Sequence, residues 1–311
     1  MLLTLLTLLG GLILLVLGAE GLVRGSVGLA LRLGLSALVI GLTVVAFGTS
    51  SPELVVSVRA AMAGESALAL GNIVGSNIAN IALILGLSAL IRPIQVQLQV
   101  IRREIPVMIA VTLLLGALLL DGVIGRLDGL VLVLGIVAYT GVAYRLARRE
   151  AAATAFDEAI APAARPLWAS VTLVLAGLGG LLLGAQLLVR GAVTLAEALG
   201  ISRAVIGLTV VAVGTSLPEL ATSVVAAFKR EGDVSIGNVV GSNIFNILCI
   251  LGVAALVHPV EAGALRTTDF LVMLALSVLV LPLMHTGFRL NRWEGALLLA
   301  GYVAYLTTMW P

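Results

Sequence analysis

Residues 41–54 read GLTVVAFGTSSPEL, and residues 207–220 read GLTVVAVGTSLPEL. The same offset of 166 joins GNIVGSNIANIALILG at 71–86 to GNVVGSNIFNILCILG at 237–252. Over 41–86 against 207–252 the copies align without a gap, and 29 of 46 positions are identical. The likeness reaches upstream, where Gly18-Ala19 and Leu22-Val23-Arg24-Gly25 match Gly184-Ala185 and Leu188-Val189-Arg190-Gly191. Each copy sets one glutamate, Glu53 or Glu219, inside an otherwise apolar stretch. An ionised side chain at the centre of a bilayer costs about 3 kcal/mol on insertion scales. Here that cost is incurred twice, at equivalent positions. No arginine or lysine sits at comparable depth to pair with either, since Arg59 lies nearer a helix end. Such carboxylates persist where they face protein, water or a bound cation.

Outward from the repeat, the whole chain has the composition of a membrane protein. Hydrophobic residues make up 60% of the 311 positions and charged residues 11%, with a mean hydropathy of +1.19. A soluble domain of this length needs a more polar surface. The net charge of +2 gives no footing for nucleic acid, and a lone cysteine, Cys249, excludes an internal disulfide framework. About 20 apolar helical residues cross a hydrocarbon core. Ten segments qualify: about 2–23, 35–62, 67–91, 105–120, 127–147, 167–189, 202–228, 234–257, 270–287 and 293–309. The amino terminus lacks a basic region and a cleavage site, so it reads as a retained first span.

Ten spans divide into two five-helix halves, 1–147 and 167–311, with the repeat motifs at 41–86 and 207–252 and a polar linker over 148–166. Five is odd, so equivalent helices cross the membrane in opposite directions, an inverted-repeat arrangement common among secondary transporters. The expected fold is therefore all-α, with ten transmembrane helices as two inverted repeats. Basic residues test the orientation. With the amino terminus outside, only Arg59, Arg126, Arg190, Arg203 and Arg266 face outward, and the other 13 of the 18 arginines and lysines face the cytoplasm. Both termini are then outside and the linker is cytoplasmic, in a cell membrane.

The neighbours of each glutamate supply oxygen donors. Thr49, Ser50 and Pro52 precede Glu53; Thr215, Ser216 and Pro218 precede Glu219. Proline removes a backbone donor and displaces the carbonyl four residues back, Gly48 or Gly214. Free acceptors are expected around Ala46 to Gly48 and Ala212 to Gly214, where backbone at membrane depth lines a cavity or meets a ligand. Thr49 and Glu53 are four apart and share a helix face. In the second element, Ser76 with Asn80, and Ser242 with Asn246, are each four apart and read as ligands. Asn72, Asn77, Asn238 and Asn243 read as hydrogen-bond glue between helices. Gly71 with Gly75, and Gly237 with Gly241, form GxxxG spacings that let helices approach closely. All these donors are oxygens, which suit calcium, sodium or magnesium, while an all-protein cage disfavours magnesium. His258 and His285 fall near helix ends, outside the repeats, and Cys249 reads as packing.

At GTSxPE followed by GNxxGSNI, twice in register, the chain resembles the sodium/calcium exchangers of the calcium/cation antiporter superfamily, in particular the prokaryotic ten-helix members. The resemblance implies calcium exchanged for sodium by alternating access at one shared site. It places the central calcium ligands on Glu53 and Glu219, and calcium or sodium ligands on Thr49, Ser50, Thr215, Ser216, Ser76 and Ser242. The carbonyls of Ala46 and Ala212 match ligand positions too, and Asn80 matches the polar position of the first repeat. Some prokaryotic members carry aspartate where Asn246 stands, so this site is one potential charge poorer. No resident cofactor is expected; the partners are small cations and the lipid bilayer, with no nucleic acid and no obligate protein partner. Alternatives are a calcium/proton antiporter, whose repeat helices tend to carry histidine or extra acids absent here, and a passive cation channel, which usually builds its filter from subunit rings. An intramembrane enzyme ranks last, because the hydroxyls lack a nearby histidine or lysine base. The long, glycine-rich first and sixth spans are the expected moving part against a rigid core.

Overall fold

The computed structural model describes residues 2–154, 166–199 and 212–309, and these are helical apart from loops and four two-residue strands. Helix α1, Leu2–Leu33, continues well past the apolar run that ends at residue 23. Gly34 stops it: φ of +64° there is open to glycine, and the Leu35 N–H reaches back to the Ala30 carbonyl at 2.9 Å. Ser36 then starts α2 by accepting the Val39 N–H on its hydroxyl at 3.3 Å. Helices α2, Ala37–Thr49, and α3, Ser51–Met62, form one bent unit with an angle of 48° between them. The break falls at Ser50, and Pro52 occupies the first turn of α3, where its missing N–H costs nothing.

Helix α4 spans Ser66–Ile91 and widens into a π-helical turn over Ala79–Leu85. Strand β1 (Ile94–Gln95), a π turn at Val100–Glu104, α5 (Ile105–Leu118), β2 (Val123–Ile124) and α6 (Arg126–Thr154) complete the first half. Helix α6 thus carries into the region expected as linker; its remaining positions, 155–165, lie outside the described residues. The second half contains α7 (Leu167–Ala198), α8 (Ala212–Thr215), α9 (Leu217–Lys229) and α10 (Gly232–Val257). After them come β3 (Val260–Glu261), α11 (Thr267–His285), β4 (Arg289–Leu290) and α12 (Arg292–Met309). Residues 200–211, which open the expected seventh span and the second repeat, lie outside the described residues.

Among the described residues six helices are long and apolar enough to cross a membrane, α1, α4, α6, α7, α10 and α11, and the bent α2–α3 unit makes a seventh. The expected spans at 105–120, 202–228 and 293–309 correspond to helices that are shorter or less apolar, with the second of them only partly described. Helices α4 and α10 are mostly buried in the bundle. Helices α1 and α6 instead turn leucines and valines outward, Leu5, Leu9, Leu130 and Leu134 among them, as a lipid-facing surface requires. One hydrophobic core gathers around α4, α5, α10 and α11 through Ile73, Ile84, Ile105, Ile244 and Met273. A second, smaller core joins α1 and α7 to α2 and α9 through Leu22, Leu181, Val45 and Ala226.

Close glycine contacts set the helix spacing. Helices α1 and α7 cross antiparallel: a Cβ on Gly11 would meet Gly184, one on Gly18 would meet Gly177, and one on Gly25 would meet Ser170, all backbone oxygens within 2.9 Å. Helix α2 approaches α10 in the same way, with the Leu38 and Leu42 carbonyls against Gly237 and Gly241. For Gly71 and Gly75, whose GxxxG spacing suggested a close approach, no described residue lies within 4 Å of an added Cβ. Two antiparallel strand pairs clasp the halves at opposite ends of the chain fold. Ile94 pairs with Leu290 in β1–β4, and Ile124 with Val260 in β2–β3. Lys229, at the end of α9, reaches Glu20 on α1 at 2.8 Å, where Arg24 joins it.

Candidate cation site

The two proline breaks bring the glutamates to the middle of the bundle. Ser50 (φ −81°, ψ 8°) and Ser216 (φ −87°, ψ 7°) share one non-helical conformation, so each GTS triplet ends a helix and each glutamate lies in the first turn of the next. Glu53 and Glu219 are both 1% exposed, and among the described residues neither forms an ion pair.

The hydroxyls serve the opposite repeat. Ser50 Oγ donates to Glu219 Oε1 at 2.8 Å, and Ser216 Oγ donates to Glu53 Oε1 at 3.1 Å. Ser50 also contacts the Ser242 hydroxyl at 3.0 Å, as Ser216 contacts Ser76 at 3.4 Å. Thr49 donates to Asn238 Oδ1 at 3.0 Å and Thr215 to Asn72 Oδ1 at 3.5 Å. The shared face expected for Thr49 and Glu53 is therefore corrected: the break at Ser50 separates them, and Thr49 turns to the other half. Each glutamate is braced from behind by its own half. Asn72 Nδ2 donates to the Glu53 carbonyl (3.3 Å) and Ser57 Oγ (2.9 Å); Asn238 Nδ2 donates to the Glu219 carbonyl (3.2 Å) and Ser223 Oγ (2.9 Å). Asn72 and Asn238 thus do act as glue.

Four asparagines extend the pattern along α4 and α10. Asn80 Nδ2 donates to Asn243 Oδ1 at 3.0 Å, and Asn246 Nδ2 donates to Asn77 Oδ1 at 2.9 Å. Asn77 and Asn243 spend their own amide hydrogens on Met273 and Met108 sulfurs and the Asn243 carbonyl. The π turns starting at Ala79 and Asn246 widen the backbone at this point. Among the described residues nine buried side-chain oxygens keep no hydrogen-bond partner; five are hydroxyls, and the four carboxylate and amide oxygens are Glu53 Oε2, Glu219 Oε2, Asn80 Oδ1 and Asn246 Oδ1. These four form two repeat-related pairs.

The backbone acceptors differ from expectation. The Gly48 carbonyl is taken by the Ser51 hydroxyl at 2.8 Å, and the Ala46 carbonyl accepts the Ser50 N–H at 3.0 Å. The Ala46 carbonyl has a second lone pair, which the Thr49 hydroxyl approaches only to 3.4 Å. Ala212 lies in α8, one turn before Ser216. Ser57 and Ser223, both fully buried, were not singled out in the sequence; their signal is a hydroxyl four residues after each glutamate in both copies. Among the described residues no three histidine, cysteine, aspartate or glutamate side chains gather as a metal cluster. The donors here are two carboxylates and neutral oxygens.

Comparison with known proteins identifies the family. The family described as sodium/calcium exchanger protein matches residues 3–145 and 169–310. The putative antiporter CaxA of Alkalimonas amylolytica is 41% identical over 305 residues, covering 95% of each chain. The sodium/calcium exchanger MaX1 of Methanosarcina acetivorans is 34% identical over 344 residues, covering 98% of this chain and 97% of its own. The solved structure of the sodium-calcium exchanger NCX_Mj, soaked with sodium and calcium, superposes with a TM-score of 0.87 at 35% identity, covering 99% of both chains. The chain is a member of the sodium/calcium exchanger family of membrane antiporters.

Proposed function

We propose that this antiporter exchanges calcium for sodium by alternating access at a site shared by Glu53 and Glu219. The observation that carries the proposal is the set of four partnerless carboxylate and amide oxygens, two from each half. A buried acceptor left unsatisfied costs about 1–3 kcal/mol, and a charged one more. A cation meeting Glu53 Oε2, Glu219 Oε2, Asn80 Oδ1 and Asn246 Oδ1 removes all four penalties at once. Hard oxygen donors favour calcium and sodium over softer metals. Thr49, Ser50, Ser76, Thr215, Ser216 and Ser242, with the Ala46 and Ala212 carbonyls, are the proposed further donors. One calcium balances two carboxylates; several sodium ions do the same by spreading over the neutral oxygens. The two loads compete, and competition with alternating access suffices for exchange.

The chain crosses the membrane ten times in this proposal, as inverted halves 1–147 and 167–311 joined by a cytoplasmic linker at 148–166, with both termini outside a cell membrane. Support comes from α1 and α7, equivalent helices that lie antiparallel with Gly11, Gly18 and Gly25 against the other half. The strand pairs support it as well, since Ile94 and Val260, like Ile124 and Leu290, are one repeat offset apart. Helices α1 and α7 lie in the smaller core, outside the main one, and are the proposed moving pair. The test is calcium-45 uptake into liposomes holding purified protein, driven by a sodium gradient with pH clamped. Uptake is expected for the wild type and lost in Glu53→Gln and in Glu219→Gln. Near-normal uptake in either variant removes the site; uptake that follows a proton gradient and ignores sodium replaces sodium with protons as the coupling ion.

A further inference from the structure

Three helix ends meet at one corner of the bundle: α4 stops at Ile91, α9 at Lys229, and α12 starts at Arg292. Between them lies a pocket of about 440 Å³ lined by Ile91, Arg92, Pro93, Ala227, Phe228 and Arg292. Four of the six are apolar and two are arginines. Neither arginine has a carboxylate partner among the described residues. Arg292 Nη2 donates to the Ile91 carbonyl at 3.4 Å, which draws its guanidinium toward the end of α4. The β1–β4 ladder fixes the rest: Ile94, two residues after Arg92, pairs with Leu290, two residues before Arg292. The cationic groups thus flank paired backbone. Phe228 is 67% exposed and Trp293, next to Arg292, is 87% exposed. Tryptophan at the end of a membrane helix sits at the level of lipid headgroups.

We propose that this pocket binds an anionic phospholipid, Arg92 and Arg292 holding the headgroup phosphate while Ile91 and Phe228 lie along the start of an acyl chain. Arginine matches phosphate oxygens with a planar fork of donors, and a soluble phosphate would have no use for the apolar walls. The internal repeat provides a control within the molecule. The offset that carries Arg292 to Arg126 carries Phe228 to Met62, Ile91 to Val257 and Arg92 to His258. At the opposite end one guanidinium is therefore replaced by an imidazole, whose Nδ1 lies 2.9 Å from the Pro259 carbonyl. The doubly cationic version falls on the face that carries most of the basic residues. If the proposed orientation holds, that face meets the anionic cytoplasmic leaflet. Binding itself requires only the membrane placement of the helices and is independent of which ions are exchanged.

The test titrates purified protein in neutral detergent with phosphatidylglycerol, phosphatidylcholine or inorganic phosphate, reading bound lipid by native mass spectrometry and melting temperature in parallel. Saturable binding and stabilisation are expected with phosphatidylglycerol alone. A basic residue near an anionic lipid surface contributes about 1 kcal/mol, close to fivefold. Arg92→Gln should therefore weaken binding about fivefold and the Arg92→Gln/Arg292→Gln pair on the order of 30-fold, while Arg126→Gln changes nothing. Arg92→Gln keeps the Arg292–Ile91 contact, so it decides the matter should the double variant fail to fold. Equal phosphatidylglycerol binding by wild type and Arg92→Gln overturns the proposal. So does equal stabilisation by phosphatidylcholine, or stabilisation by inorganic phosphate alone, which would mark a soluble-anion site.

Discussion

Replacing Gly18 by alanine tests the antiparallel seam between α1 and α7 directly. A Cβ at Gly18 would lie 2.6 Å from the Leu181 nitrogen and 2.8 Å from the Gly177 oxygen, whereas ordinary contact begins at 3.4 Å. Both obstacles are backbone, so no rotamer change relieves them and the helices must part locally by about 0.8 Å. A gap of that size forfeits roughly a quarter to a half of each dispersion contact along the seam, and a methyl forced into tight packing costs about 1–3 kcal/mol. Glycine to alanine also stabilises a helix by about 1 kcal/mol, which has to be separated from the clash. Gly179 supplies that reference: it lies on α7 two residues beyond Gly177, and a Cβ there meets nothing within 4 Å. Gly179→Ala should match or exceed the wild type, and Gly18→Ala should fall below Gly179→Ala by about 1–3 kcal/mol. For a chain of 311 residues that is about 1.5–5 °C in melting temperature. Scanning fluorimetry in detergent measures both variants on one day and one preparation. A Gly18→Ala melting point within about 1 °C of Gly179→Ala would falsify the glycine-to-backbone seam.

The crossed hydroxyls predict symmetric effects from opposite halves. A hydrogen bond to a charged acceptor contributes about 1.5–3 kcal/mol, so Ser50→Ala and Ser216→Ala should each weaken apparent calcium affinity by roughly 10- to 150-fold, read as half-saturating calcium in sodium-driven uptake. Ser51, whose hydroxyl caps only the Gly48 carbonyl, is the reference; a larger effect at Ser51 than at Ser50 would reverse the assignment. Asn238→Ala removes donors to the Glu219 carbonyl and Ser223 and an acceptor for Thr49. It should cost about 1–3 kcal/mol in ion-free melting experiments, with Asn72→Ala showing the same sign. An unchanged melting point in both variants would mean that these asparagines brace nothing.

Much of this was legible because the decisive signals are local. Glu53 and Glu219 stand out since a carboxylate in an apolar window is costly wherever the helix is placed, and Pro52 and Pro218 mark the breaks since proline cannot continue an i to i−4 ladder. The seam was legible in principle too, from glycines at sevenfold spacing, 11, 18, 25 and 177, 184, 191. What proline frees was less readable. Ser51 supplies a hydroxyl to the Gly48 carbonyl, and nothing in the motif distinguishes a capped carbonyl from an open one. Partner choice was hidden for a different reason. Because the two copies are nearly identical, every hydroxyl has two chemically equivalent glutamates, its own and the other repeat's, and helix periodicity favours its own. The backbone at Ser50 and Ser216 leaves helical geometry and breaks that periodicity. Ser50 then meets Glu219, and Ser216 meets Glu53. Each carboxylate takes its serine hydroxyl from the other repeat. Duplication therefore made the site a property of the pair, and a movement of one half against the other acts on both carboxylates at once.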